Sequence, residues 1–290
     1  MRGQGAVLMV ACVAARTGEA AMSQENLRQG LDRMEERSKN LADFLVAAKG
    51  SKDGLLEDET PQVYKDYEIV TCPAVGAAFV HVYKAAGTTG MELVKNNCPG
   101  RWYKFNRHGC PERDDQPVCF SKAQDTDWAA NITTAFTFVR DPVERFQSGI
   151  FELAKHHGAW ISQLIDVANT TGRAVADVVI DDLIRTSRRD GSLPNAHLMP
   201  QTYFLHDKAE PLPKLKYIAT VGPHFDEDLQ ILGLELFGDQ IGVHHANAAA
   251  NAVGQAKGEV YIHDEVISQE TRFKIFRYYE VDYAWLGGFH

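Results

Sequence analysis

The chain has 290 residues, 44% of them hydrophobic, and 30 Lys and Arg against 39 Asp and Glu give a net charge of −9. That length and hydrophobic fraction fit one large α/β domain with an appendage. The acidic balance argues against a general binder of nucleic acid or of anionic membrane, and argues weakly against a highly sulfated polymer as partner.

Residues 1–22 read as a leader. Met1-Arg2 precedes an apolar run from Gly5 to Ala15, followed by small residues. The run has the length of a signal-peptide core and is too short to span a bilayer; an alanine-rich leader or a truncated membrane anchor are the other readings. Residues 23–63 read as a helical stem and linker. Leu27, Leu31, Met34, Leu41, Leu45 and Ala48 alternate at spacings of four and three, with Ser38 interrupting. Such a seam serves either a short coiled coil, making a homodimer through the 23–49 helix, or a helix laid on its own domain. Residues 50–63 are polar and turn-rich, and the main domain spans 64–290.

The first strand of that domain is Ala77 to Val82. It runs into Tyr83 and Lys84, a small-residue turn Ala85-Ala86-Gly87, two hydroxyls at Thr88 and Thr89, and a helix ending near Asn96-Asn97. Strand, tight turn and helix N-terminus make a phosphate cradle: backbone N–H groups converge, the helix dipole favours an anion and a lysine adds charge. The lysine precedes the glycine, so this is not the G-x-x-x-x-G-K-[ST] nucleotide loop. Arg101 to Phe105 reads as a second strand, and Asn106 to Asp127 as a polar loop. Phe136 to Val139 is a strand that ends in Arg140. There Asp141 suits a helix N-cap, Pro142 the first helical position, and Glu144 the far side of a capping box, with Ser148 further along the helix. One helical stretch follows from Trp160 to Ile184. Leu193 to Leu205 is irregular, Tyr217 to Val221 a short strand, His244 to Gly258 a loop, and Val266 to Trp285 a closing helix. Ligands of open α/β sheets bind at the carboxyl ends of strands, so the segments around Lys84 and Arg140 are expected to meet on one edge.

Cys12 lies in the leader, and Cys72, Cys98, Cys110 and Cys119 form an even set compatible with disulfides, their pairing open. No Cys/His spacing suggests zinc. Asn131-Ile132-Thr133 and Asn169-Thr170-Thr171 are glycosylation sequons, near chance frequency. Positive charge gathers at Lys95, Arg101, Lys104, Arg107 and Arg113, and again at Arg185, Arg188 and Arg189; each group reads equally as a solvated face or as an anion-facing one.

Lys84-Ala85-Ala86-Gly87-Thr88-Thr89 and Arg140-Asp141-Pro142-Val143-Glu144-Arg145-Phe146-Gln147-Ser148 together resemble the sulfotransferases that use 3′-phosphoadenosine 5′-phosphosulfate (PAPS). The second motif matches that family's R-D-P-x-x-R-x-x-S throughout; in the first, Tyr83 stands where a proline is usual. Tyr217 to Gly222, the acidic Phe225-Asp226-Glu227-Asp228-Leu229 and the tail from Tyr279 to Gly287 are similar to the membrane-bound, Golgi carbohydrate O-sulfotransferase branch. The likeness runs over roughly residues 70–287.

The resemblance implies a P-loop-NTPase-like parallel sheet flanked by helices, PAPS as co-substrate, no metal, a carbohydrate hydroxyl as acceptor, and a place in the secretory pathway, in the Golgi lumen (or the cytoplasm, if the leader is not a signal). Lys84 and the backbone from Ala85 through Thr89 would hold the 5′-phosphosulfate, and Arg140 and Ser148 the 3′-phosphate. A general base belongs in the loop after the second strand, where His108 is the choice and Glu112 and Asp114 the alternatives. His197 resembles a segment near the family's acceptor cleft and suits substrate contact or packing. A small hydroxylated metabolite as acceptor, or a non-catalytic protein that keeps the PAPS-binding fold, are the other readings.

Overall fold

The structure is a computed structural model that describes residues 22–49, 68–106, 119–120, 131–156, 158–190, 195–207, 210–212, 214–238 and 267–286. The leader up to residue 21, the linker, Cys110, the His244 to Gly258 segment, and His108, Glu112 and Asp114 lie outside these.

Helix α1 (Gln24–Lys49) precedes a hairpin of β1 (Glu68–Cys72) and β2 (Ala77–His81), then α2 (Gly87–Asn97), β3 (Tyr103–Asn106), β4 (Cys119–Phe120) and β5 (Thr134–Arg140). Three helices follow, α3 (Pro142–Lys155), α4 (Ala159–Thr171) and α5 (Val175–Asp190), then two short 3₁₀ turns at Ala196–Leu198 and Gln201–Phe204. A two-residue pair β6 (His206–Asp207) and β7 (Glu210–Pro211) leads to β8 (Leu215–Val221), α6 (Phe225–Phe237), α7 (Gln269–Tyr278) and α8 (Glu280–Leu286).

Among the described residues six strands form one open sheet in the order β4-β3-β1-β2-β5-β8. The expected parallel sheet holds in part: β2, β5 and β8 are mutually parallel, as are β3 and β4, whereas β1 runs antiparallel to both β2 and β3. The Pro73–Gly76 turn reverses the chain too tightly for a crossover, with Gly76 at φ 69°. Alternation along the strands then divides the apolar side chains. Ile69, Ala78, Val80, Ala135, Val139 and Ile218 face Leu41 and Leu45 of α1 and Trp285 of α8. Val70, Phe79, Phe136, Phe138, Tyr217 and Ala219 face α2 and α6. A third core joins α3, α4, α5 and α7.

Of the two readings of the 23–49 helix, the structure takes the intramolecular one. Met34, Leu41 and Leu45 are fully buried against the chain's own sheet and helices. Ser38, the interruption in the seam, donates to Leu215 O at 2.8 Å, and Arg37 donates to Ile218 O at 3.2 Å. Helix α1 thus covers edge strand β8 and satisfies two of its carbonyls. No described helix is long and apolar enough to cross a membrane.

Two expected single helices are each broken in two. Gly172, left-handed at φ 67°, ends α4. Tyr279 separates α7 from α8 and donates its hydroxyl to Leu198 O at 2.6 Å. Cys72 pairs with Cys98, tying the end of β1 to the end of α2.

Candidate functional site

The loop after β2 takes an unusual backbone path. Lys84 has φ 64° and Ala86 φ 55°, both left-handed without being glycine. Each costs about 1–2 kcal/mol, so tertiary contacts must hold the turn. Ala86 is the N-cap of α2, and the N–H groups of the first helical turn open at the end of β2. Two glycines bring that helix down onto the strand. A Cβ on Gly87 would stand 1.8 Å from Nε2 of His81, and one on Gly90 2.3 Å from Cζ of Phe79. Thr88 is exposed at the mouth of the loop, whereas Ala85 and Thr89 are buried.

His81 is itself fixed. Its Nδ1 lies 2.7 Å from Glu68 Oε2, its partner across the hairpin, and Lys104 bonds the other carboxylate oxygen. Burial pushes the Glu68 carboxyl up, but hydrogen bonds from His81 and Lys104 outweigh it and hold the group at about 2. Much of the basic cluster is therefore engaged within the fold: Lys104 serves Glu68, and Lys95 lies over the Trp102 ring at 4.8 Å. Arg107 and Arg113 fall outside the described residues.

The second motif arrives from the neighbouring parallel strand. Asp141 accepts from the N–H groups of Val143 and Glu144 at 2.9 and 3.0 Å, with Pro142 following it, as a helix start requires. The expected capping box does not close, because the Glu144 carboxylate bonds Arg140 Nε at 3.0 Å instead. The backbone of Arg140 is clamped on both sides by the buried Gln201 amide, whose Oε1 accepts from its N–H and whose Nε2 donates to its carbonyl, each at 2.8 Å.

Along α3, Arg145, Ser148 and Glu152 follow at spacings of three and four and so share one face. Arg145 is fully buried and donates from Nη1 to Tyr83 O at 3.1 Å and to His197 O at 3.3 Å. Its Nε and Nη2 are buried with no hydrogen-bond partner among the described residues. Glu152 Oε2 accepts from Lys84 Nζ at 3.0 Å, and Oε1 lies 3.0 Å from His156 Nε2. Burial favours the neutral Glu152 carboxyl, yet Lys84 and His156 together hold it at about 2. Ser148 sits half-buried between two residues that both touch the loop. The segments around Lys84 and Arg140 do meet at one carboxyl edge of the sheet.

The 3₁₀ turns close the site. The Tyr83 ring lies 4.8 Å from His81 and 5.0 Å from His197. Burial, reinforced by the Lys84 charge, pushes the His197 imidazole down to about 4. Buried Asp282 of α8 accepts from the backbone N–H groups of Gln201 and Thr202, both at 2.9 Å, and from the Thr202 hydroxyl at 2.7 Å. Trp285 Nε1 donates to the same hydroxyl at 2.8 Å. The closing helix thus pins the segment that carries both His197 and the Gln201 clamp.

Sequence reasoning assigned no role to Arg145, Glu152, Gln201, Asp282 or the Glu68–His81 pair. The helical offsets of Arg145 and Glu152 from Ser148 were the available signal; the others act across long sequence separations. No protein-family model, curated protein or solved structure matches this chain.

Proposed function

We propose that this chain is a PAPS-dependent O-sulfotransferase with that family's fold, acting on a carbohydrate hydroxyl. The observation that carries the reading is the meeting of two anion-binding elements at one sheet edge: a lysine-bearing helix N-terminus after β2, and the Arg140-to-Ser148 segment after the adjacent parallel β5. The residues fit a doubly anionic nucleotide. Gly87 lets the N-terminus of α2 settle onto His81 at the end of β2, where a Cβ would collide with the ring, and the buried Arg145 guanidinium holds positive charge beneath the loop.

In this reading the donor supplies the sulfuryl group and the protein supplies in-line positioning and charge stabilisation. Lys84, the N–H groups from Ala86 to Thr89 and the Thr88 and Thr89 hydroxyls receive the negative charge that grows on the leaving 5′-phosphate, as an oxyanion hole does. Arg140 and Ser148 grip the 3′-phosphate, and that remote binding energy holds the reacting end in place. The Cys72–Cys98 bond favours an oxidising compartment such as the secretory lumen.

Calorimetric titration with 3′-phosphoadenosine 5′-phosphate (PAP) and with adenosine 5′-phosphate tests the reading. PAP is expected to bind more tightly; equal affinity removes the role of Arg140 and Ser148. Lys84→Ala is expected to lower turnover by roughly 10²–10³, the usual worth of one such contact. Near-wild-type kcat would contradict the assignment of Lys84.

A further inference from the structure

We propose that Glu152 is the general base of the transfer, a carboxylate that Lys84 keeps occupied until the donor draws the ammonium away. The inference rests on the sulfotransferase reading and places the base on α3 in place of His108.

The starting point is the 3.0 Å pair between Lys84 and Glu152, whose side chains are 21% and 26% exposed. Lys84 is the lysine that must serve the leaving phosphate, so it cannot stay wholly with Glu152 once the donor is bound. Glu152 then stands beside the reacting group with its principal cation withdrawn. Four other titratable or charged groups surround this position. His156, one turn along α3, touches the second carboxylate oxygen and is well exposed. His197 faces the pair from the 3₁₀ turn and stays neutral at working pH, because burial and Lys84 press it down. Arg145 is committed to the carbonyls of Tyr83 and His197, and His81 to Glu68. None of them replaces the Lys84 contact, so with only His156 still opposing it, partial burial, the largest single influence on Glu152, raises its proton affinity. A carboxylate too weakly basic in the empty enzyme is activated by donor binding itself.

Geometry supports the same role. In a near-attack arrangement the acceptor oxygen stands about 3–3.5 Å from sulfur, opposite the leaving oxygen. Glu152 lies one turn beyond Ser148 on the same face of α3 and 3.0 Å from the Lys84 ammonium, so its carboxylate borders the loop that the donor's reacting end would occupy. The step balances. The acceptor O–H bond breaks and its electron pair forms the O–S bond. The S–O bond to the 5′-phosphate breaks, and that pair remains on the phosphate oxygen beside Lys84. The proton passes to the Glu152 carboxylate and then to solvent.

Glu152→Gln keeps the side-chain shape and removes the base. PAP is expected to bind the variant tighter by roughly 1.4- to 5-fold, the worth of releasing Lys84 from a partly exposed pair. Its kcat is expected to fall about 10²–10⁴-fold, and the acidic limb of the kcat–pH profile to flatten. Glu152→Asp is expected to retain that limb at reduced kcat. Unchanged kcat in Glu152→Gln overturns the assignment, as does a fall in kcat with the acidic limb intact, which makes Glu152 a positioning residue only. Loss of the limb in His108→Ala while Glu152→Gln keeps it returns the base to His108. If the wild-type chain binds no PAP, the donor reading falls and the base with it; PAP binding with an unaltered Glu152→Gln profile overturns the base alone.

Discussion

Replacing Arg145 by alanine should destabilise the fold and loosen the loop after β2 together. The guanidinium is fully buried and bridges Tyr83 O and His197 O from one nitrogen. It lies over the Tyr279 ring at 5.6 Å and supplies positive charge to the buried Asp282, whose carboxyl burial pushes up and whose ionised form Arg145 favours. Removing one member of a buried charge network costs about 3–5 kcal/mol. Nε and Nη2 lose no hydrogen bond in the variant, which places the cost near the lower end. At about 2–4 °C per kcal/mol, a loss of 3 kcal/mol lowers Tm by roughly 6–12 °C. Differential scanning calorimetry with and without PAP reads both consequences. On the proposed reading, wild-type protein at a hundredfold excess of PAP over Kd is expected to gain about 2.7 kcal/mol. The variant at the same nucleotide concentration should gain less, because the Tyr83 carbonyl that anchors the left-handed turn at Lys84 is no longer held. An Arg145→Ala protein with wild-type Tm and wild-type response to PAP would refute the reasoning.

Two further substitutions probe the loop from beneath. Gly87→Ala places a methyl group against a His81 ring that Glu68 prevents from yielding, so α2 must lift; a cost of about 1–3 kcal/mol in urea unfolding and weaker PAP binding are expected, and no change in either contradicts the packing described. Glu68 titrates at about 2 in the fold against an ordinary value of 4.5, so it contributes stability above pH 4.5 that is lost as pH falls toward 2, about 3 kcal/mol in all. Glu68→Gln should flatten the dependence of the urea midpoint on pH across that interval; an unaltered slope would show that the carboxylate is not held by His81 and Lys104.

Local chemistry made several parts of the site legible in advance. A β-branched run that stops at a lysine and small residues marks a strand-to-helix turn, and Asp141-Pro142 marks a helix start, because caps and proline act within a few residues of themselves. Features set by distant partners were not legible. Glu144 lies at capping-box spacing, but the nearer cation at Arg140 takes its carboxylate. Ser38 interrupts a heptad because it serves a carbonyl 177 positions away on β8. Strand β1 was missed: its five residues are all buried and carry no alternation to distinguish them, and its antiparallel direction follows from the turn at Gly76. Four cysteines left the pairing open, and only the packing of α2 on the hairpin brings Cys98 to Cys72. Gln201 and Asp282 look like ordinary polar residues in the chain; their function as clamps exists only once the 3₁₀ turns are laid between β5 and α8.

The central claim is sulfuryl transfer from PAPS, and the most direct measurement follows ³⁵S from labelled PAPS into a panel of oligosaccharide and small hydroxylated acceptors. The account predicts label on a carbohydrate hydroxyl, with one PAP released per sulfate transferred and both products reduced together by roughly 10²–10³ in Lys84→Ala. PAP released with the label on a small acceptor would redirect the substrate class, and absence of transfer to every acceptor by a protein that binds PAP would contradict the account.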